Sequence, residues 1–190
     1  LDEDSTPPQG AIHYVKGTPL YPPWPDGMPE AMFGMGCFWK AEDAWMRVKG
    51  VYSTQVGFAG GVTSSPRYDD ICGGRTLHAL VVRIVFDPCV VPYTELLRTF
   101  WEGHDPTCWN RQGNDRGNEY RSVIFCYSEG QLAAAMRTRE IYQRALRESG
   151  IARAIRTEIR SAPVFYYAEL FHQQCNAKLG AGAVSEPDKR

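Results

Sequence analysis

With 190 residues, 43 % of them hydrophobic, the chain can build one domain with its own core plus extensions. Its formal charge of −1 comes with no basic run and no acidic tail, which argues against nucleic acid or an anionic membrane surface as partner. No apolar run approaches the roughly 20 residues of a membrane span, and the six cysteines contain no C-x-x-C pair of a zinc ribbon. Six cysteines are also too sparse for a disulfide-built mini-protein. They fit a cytosolic thiol enzyme or a secreted protein with one or two bridges. No signal peptide is visible, and the first residue is Leu1. The expected compartment is the cytoplasm or, if a leader was removed before Leu1, an organelle or the exterior.

Residues 1–30 carry seven of the thirteen prolines, which precludes helix and predicts an extended arm laid over the domain. Tyr14, Leu20, Tyr21 and Trp24 are its candidate anchors. The structured domain is expected over 31–178 and a flexible tail over 179–190. The stretch Met32–Trp39 begins apolar, as a short buried strand does, and its two glycines, Gly34 and Gly36, let the backbone turn tightly. Ala41, Ala44, Trp45 and Val48 then recur at helical spacing. Val51–Phe58 alternates as a strand does and ends at Ala59-Gly60-Gly61. Residues 60–75 read as a long loop.

Leu77–Phe86 is β-branched and apolar, a central strand closed by Asp87-Pro88. Pro92–Trp101 places Leu96, Leu97, Phe100 and Trp101 on one helical face, and His104–Asn118 is a polar loop. Arg121–Tyr127 is a strand. Glu129–Arg147 is a helix between an N-cap at Ser128 and a stop at Gly150, with Leu132, Met136, Ile141 and Ala145 along one face. Ile151–Ile159 is a further strand candidate, followed by Phe165–Tyr167 and the helix-like Ala168–Lys178. With no regular βαβ period and no repeat, the order implies an α+β fold with helices on a mixed, largely antiparallel sheet.

Cys37 draws attention because it stands at the first turn of a helix. There the free N–H groups and the dipole lower a thiol pKa. Phe38 and Trp39 beside it are suited to walling an apolar pocket. The alternative is a buried cysteine acting as a small hydrophobe, and position alone leaves both open.

Gly36-Cys37-Phe38-Trp39 resembles the active-site signature of the A-class peptide methionine sulfoxide reductases. The resemblance extends through Gly50–Gly61 (GVYSTQVGFAGG), Val82–Pro88 (VRIVFDP), Phe100-Trp101-Glu102, His104–Thr107, Asn110–Asp115, Tyr120-Arg121-Ser122, Phe165–Glu169 and His172-Gln173-Gln174. It covers about residues 31–178 and implies the family's two-layer sandwich and a monomer. It also implies the family's chemistry, a thiolate attack on the sulfur of methionine S-sulfoxide. A sulfenic acid forms and passes to a resolving thiol, and thioredoxin or a small thiol reduces the resulting disulfide. No bound cofactor is implied. Carried over residue by residue, Cys37 is the nucleophile and Phe38 and Trp39 hold the methyl group. Tyr68 and Tyr120 hydrogen-bond the sulfoxide oxygen, and Asp115 supports the cysteine site.

The chain departs from that pattern in four places. The family's Gly-His-Ala-Glu before the central strand reads Leu77-His78-Ala79-Leu80, which removes the glutamate that protonates the leaving oxygen. The stretch Gly180–Arg190 holds no resolving cysteine. The Thr-Gln-Gly loop reads Thr107-Cys108-Trp109, and His-Gln-Gln-Tyr reads His172-Gln173-Gln174-Cys175. Cys108 and Cys175 are therefore the candidate resolving thiols, and Leu80, Trp109 and His172 join Phe38 and Trp39 as candidate substrate contacts. Two other functions compete with altered reductase activity. One is a repurposed thiol or metal enzyme. No metal is expected, and His172, Cys175, His104 and Cys108 are the side chains a metal would use, His172 and Cys175 sharing a face if they lie on one helix. The other is a non-catalytic module that binds sulfoxides or peptides.

Overall fold

The structure, a computed structural model, describes residues 2–180. The tail expected over 179–190 therefore falls outside the described residues after Gly180. A six-stranded sheet organises the chain in the order β7-β6-β1-β3-β2-β8. In sequence these are β1 (Glu30–Met35), β2 (Val51–Ala59), β3 (Ala79–Phe86), β6 (Ser122–Cys126), β7 (Glu158–Ser161) and β8 (Tyr166–Tyr167). All neighbours are antiparallel except β6 and β7, so the sheet is mixed and largely antiparallel. β3 lies inside the sheet with every residue buried, which explains its unbroken apolar sequence Ala-Leu-Val-Val ahead of a single arginine.

One sheet face carries Phe33, Val56, Phe58, Leu80, Val82 and Ile84 against the helices α1 (Phe38–Met46) and α3 (Tyr93–Gly103). Phe33 is fully buried and stacks on Trp45 of α1 at 5.0 Å and on Phe100 of α3 at 5.4 Å between centroids. Such aromatic pairs contribute about 0.5–1.5 kcal/mol each beyond area burial, so this cluster pins both helices to the sheet. The opposite face holds Met32, Val81, Val123 and Phe125, covered by Ala162 and Phe165. Arg83 lies on that face beneath Trp24, Phe165 and Tyr167, with Gln55 accepting from its Nε at 2.8 Å.

Several elements differ from the sequence reading. The loop 60–75 contains a one-turn helix, α2 (Tyr68–Cys72). The loop 104–118 contains a short hairpin of two-residue strands, β4 (Arg111–Gln112) and β5 (Asp115–Arg116), and leads into a 3₁₀ turn at Asn118–Tyr120. The strand expected over 151–159 begins only at Glu158. The helix α4 (Glu129–Glu148) starts at the Ser128 cap, whose Oγ accepts from Gln131 N. Its inward side uses Leu132, Ala135, Tyr142 and Leu146, while Met136 and Ile141 are exposed. Ala135 and Tyr142 give a narrow stripe there, so two large apolar residues are not needed inside.

The segment Ala168–Lys178 is not one helix. A 3₁₀ turn (Leu170–His172) and a short α5 (Cys175–Lys178) flank Gln174, which takes φ +50°. Buried polar bonds fix this break. Gln173 Oε1 accepts from Val56 N, Gln173 Nε2 donates to Val56 O, and Gln174 binds Glu42 of α1 through both its backbone N–H and Nε2. His172 and Cys175 therefore do not share a helical face.

The N-terminal arm forms no helix but is not one extended stretch: turns closed by Ala11 N–Pro8 O, Gly17 N–His13 O and Met28 N–Pro25 O bonds fold it, with an isolated bridge between Ile12 and Pro19. Leu20 is fully buried, Tyr21 stacks on Tyr167 at 4.2 Å, and the Trp24 ring faces the Arg83 guanidinium. The Tyr14 ring is exposed, and its backbone N–H is what binds, to Gln174 Oε1.

β8 approaches β2 so closely that a Cβ on Gly57 would collide with Tyr166 O and stand 2.5 Å from Phe165 Cζ. Gly57→Ala is therefore expected to lower stability by about 1–3 kcal/mol, the usual cost of overpacking, measured as a fall in the urea midpoint at unchanged slope.

Candidate active site

Gly36 and Cys37 join β1 to α1. Gly36 takes φ +95°, and a Cβ there would meet Gln112 Cβ at 2.7 Å, so glycine is required on both counts. This turn places Cys37 as the N-cap of α1. The residue borders a cleft of about 390 Å³, whose lining includes Lys40, His104, Gln112 and Asp115.

The helix start does not leave this thiol acidic. Burial pushes the Cys37 thiol up, and Asp115 adds to the rise. The N–H groups of Trp39 and Lys40 and the Lys40 ammonium pull the other way without winning. The expectation of a lowered pKa is thus corrected: desolvation outweighs the helix terminus.

A stacked aromatic cluster forms the other side. Phe38 is buried among Phe58, Tyr68 and His172, with centroids 5.9, 5.9 and 5.5 Å away. Trp39 donates its indole N–H to His172 Nδ1 at 3.0 Å. That bond makes Nδ1 the acceptor and leaves the proton on Nε2, 4.0 Å from Glu169 Oε2. Burial lowers the His172 pKa, so the ring is neutral. Glu169 Oε1 in turn accepts from Tyr68 N at 2.9 Å. Trp39 is therefore tied to His172 and Tyr68 to Glu169, with the Tyr68 and His172 rings packed 4.4 Å apart between centroids.

Tyr68 opens α2, and Tyr120 closes the 3₁₀ turn after the β4–β5 hairpin. The Tyr68 phenol is pushed up strongly by burial, then by Cys72, Tyr120 and Cys37. This places Cys37, Tyr68 and Tyr120 in one neighbourhood. Leu80 is buried opposite Phe58, in the same apolar cluster as Phe38 and Tyr120. The position where the family resemblance expects a carboxyl therefore holds an aliphatic side chain, and Asp115 is the carboxylate in the cleft.

The remaining candidates are scattered. His104 lines the cleft, but Nδ1–H donates to Phe100 O and Nε2 bonds Ser122 Oγ, both at 2.7 Å, and burial holds the ring neutral with a pKa of about 4. Cys108 donates to Asp105 Oδ2 at 3.5 Å and is not among the residues that line the cleft. Trp109 is 69 % exposed and is not part of the cleft wall. Cys175 is buried in α5, its thiol raised to about 11 by burial with a smaller push from Cys37. Among the described residues no three His, Cys, Asp or Glu side chains converge as a metal-binding group. Sequence reasoning misses Lys40, Gln112 and Glu169, none of which carries a signal of its own in the sequence.

The model of the peptide methionine sulfoxide reductase family matches residues 29–185. Peptide methionine sulfoxide reductase MsrA 2 of a Nostoc species is 54 % identical over 171 residues, which cover 90 % of this chain and 77 % of that protein. MsrA of Rhodospirillum centenum is 53 % identical over 187 residues, covering 95 % of this chain and 85 % of that protein. Among solved structures, methionine sulfoxide reductase A of Corynebacterium diphtheriae matches with a TM-score of 0.84 at 37 % identity, over 97 % of this chain and 92 % of that one. The helix that starts at Cys37, the aromatic wall and the two tyrosines stand within the matched span, and the chain belongs to the peptide methionine sulfoxide reductase family, A class.

Proposed function

We propose that Cys37 reduces methionine S-sulfoxide, free or within a peptide, through a sulfenic acid. The observation that carries this reading is the placement of Cys37 at the start of α1, between a polar cleft and the stacked Phe38–Tyr68–His172 wall. The cleft and wall supply what a sulfoxide asks for: apolar surface for its methyl group and hydroxyl donors for its oxygen.

The Cys37 sulfur attacks the sulfoxide sulfur as its thiol proton passes to the sulfoxide oxygen; the bond from that oxygen to the methionine sulfur breaks as the S–O bond to Cys37 forms, leaving Cys37 as S–OH and methionine as the thioether. Phe38 and Trp39 hold the methyl group, and the Trp39 indole N–H bond to His172 Nδ1 fixes the indole plane. Tyr68 and Tyr120 polarise the S–O bond. Asp115 and Lys40 set the charge around the sulfur from the cleft side. A second thiol condenses with the sulfenic acid and releases water, and thioredoxin or a small dithiol returns the protein to its reduced state. Cys108 and Cys175 are the sequence's candidates for that second thiol, and Cys175 is the one within electrostatic reach of Cys37. The scattered positions of His104, Cys108, His172 and Cys175 offer no support for a metal-dependent alternative.

The direct test is turnover of the two methionine sulfoxide epimers with dithiothreitol or thioredoxin. The S epimer is consumed, and Cys37→Ser abolishes its consumption. A second test uses pH. Because the thiol is raised, its thiolate fraction at neutral pH is small and grows about tenfold per pH unit until the pKa is passed. Iodoacetamide modification of Cys37, followed by mass spectrometry, is expected to keep accelerating beyond about pH 9, and exposed Cys89 is labelled ahead of it at about pH 7. A plateau below about pH 7 would place the thiolate in the free enzyme after all.

Leu80 sets the third expectation. Positioned acids contribute about 10²–10⁴-fold to rate, and a tyrosine hydroxyl donates a full proton poorly. Leu80→Glu should therefore raise the oxygen-transfer rate at least about tenfold, about 1.4 kcal/mol of barrier. A folded Leu80→Glu protein with no gain would mean that another group already delivers the proton.

A further inference from the structure

The indole of Trp39 is one wall of the methyl pocket, so a role for any residue that aims it rests on the reductase chemistry proposed for Cys37. An indole has one polar atom, a donor, and a single partner therefore sets the direction of its polar edge. That partner is His172 Nδ1, 3.0 Å from Trp39 Nε1. The imidazole is buried among the rings of Phe38, Trp39 and Tyr68, with centroids 5.5, 5.6 and 4.4 Å away. The backbone beneath it is tied from both sides. His172 N donates to Glu169 O, Phe171 N donates to Glu3 O of the arm, and the Gln173 amide bonds both N and O of Val56 in β2. The imidazole is thus the fixed part of this pair, and the indole is aligned on it.

This bond exists in one protonation state only. A neutral imidazole with its proton on Nε2 offers a lone pair at Nδ1, whereas an imidazolium carries N–H on both nitrogens. Protonation would set Nδ1–H against the indole N–H, two donors at hydrogen-bond distance. Burial lowers the His172 pKa, so the acceptor is intact at neutral pH and is lost as pH falls through that lowered value. The charged groups around the ring are Glu169 in the turn before it, Asp69 of α2, Asp4 of the arm and Lys178 of α5. From α1 it meets the rings of Phe38 and Trp39, and α2 adds the Tyr68 phenol, itself pushed up by burial. The three carboxylates favour the imidazolium against burial and Lys178, so the ring can take a proton in place. Glu169 Oε2 is buried, has no hydrogen-bond partner among the described residues and stands 4.0 Å from His172 Nε2, where a ring charge would draw it in.

We propose that His172 is a positioning residue for substrate recognition: its Nδ1 lone pair holds the Trp39 indole against the substrate's methyl group, and a proton on Nδ1 releases it. His172 acts through the indole and makes no contact with the sulfoxide itself. Acid therefore weakens the binding of methionine S-sulfoxide, an effect separate from the loss of Cys37 thiolate, which slows the chemical step.

The test measures binding apart from chemistry, in a Cys37→Ser parent titrated calorimetrically with methionine S-sulfoxide. Its Kd is expected to be level from about pH 8 to about pH 7 and at least about fivefold weaker once His172 is protonated. Adding His172→Asn, whose Oδ1 can stand where Nδ1 does and takes no proton, should keep Kd within about threefold of the parent at neutral pH and flatten the profile. Adding His172→Phe, which keeps a packed ring without an acceptor, should weaken binding at least about fivefold at every pH. In the wild-type chain, nitrogen NMR should find the lone pair on Nδ1 at neutral pH, and the Trp39 indole N–H resonance should move with the His172 midpoint. The proposal is overturned by a Kd that stays level through that midpoint, by His172→Phe binding as tightly as the parent, or by a proton on Nδ1 at neutral pH. The NMR titration and the parent's pH profile decide the matter even if neither His172 variant folds. Failure of the reductase chemistry has its own signature: the parent binds no methionine S-sulfoxide at any pH and the wild-type chain consumes none, while the indole resonance still reports whether His172 holds Trp39.

Discussion

The Glu42 carboxylate holds the active-site side of this fold together. It is buried on the inner face of α1 and accepts from Thr54 Oγ1 of β2, from Gln174 N and from Gln174 Nε2. Thr54 Oγ1 also bonds His13 of the N-terminal arm at 2.8 Å. One side chain thus ties together the helix that starts at Cys37, a sheet strand, the segment that carries His172 and Cys175, and the arm. Burial raises its pKa to about 7, against the pull of its three donors. Four segments distant in sequence converge on this group, and the aromatic wall behind Cys37 depends on their convergence.

Much of the architecture is legible in the sequence because it follows from periodicity and from backbone-specific residues. The β-branched run of β3, the alternation of β2 and the Ser128 cap of α4 all specify themselves locally. So does the turn at Gly36, whose positive φ only glycine accepts readily. Local pattern loses its force where long-range polar bonds override it. Ala168–Lys178 has helical composition, yet Gln173 and Gln174 commit their amides to Val56 and Glu42, and the helix breaks. No window of sequence contains both partners of those bonds. α2 reads as loop for a simpler reason, since a helix of five residues is too short for a periodic signal.

The site shows the same division. Cys37, Phe38, Trp39, Tyr68, Tyr120 and Asp115 are named by resemblance, and the structure gathers them around one helix start. The thiol's acidity does not follow from sequence, which reveals the favourable helix N-terminus but not the desolvation that opposes it. Trp109 belongs to the pocket if judged by its neighbours in sequence, whereas its ring stands in solvent.

The arm has a consequence for how this domain can be handled. Its carbonyls at Glu3 and Ser5 accept the backbone N–H groups of Phe171 and Leu170, in the turn that sets His172 against Trp39. The proline-rich stretch therefore behaves as a peptide brace that supplies main-chain acceptors to the aromatic wall beside Cys37. A fragment cut at residue 30, where composition changes most abruptly, would keep every strand and helix of the sheet domain and still lose the acceptors that hold one side of its pocket. Sequence composition and mechanical integrity draw the edge of this protein in different places.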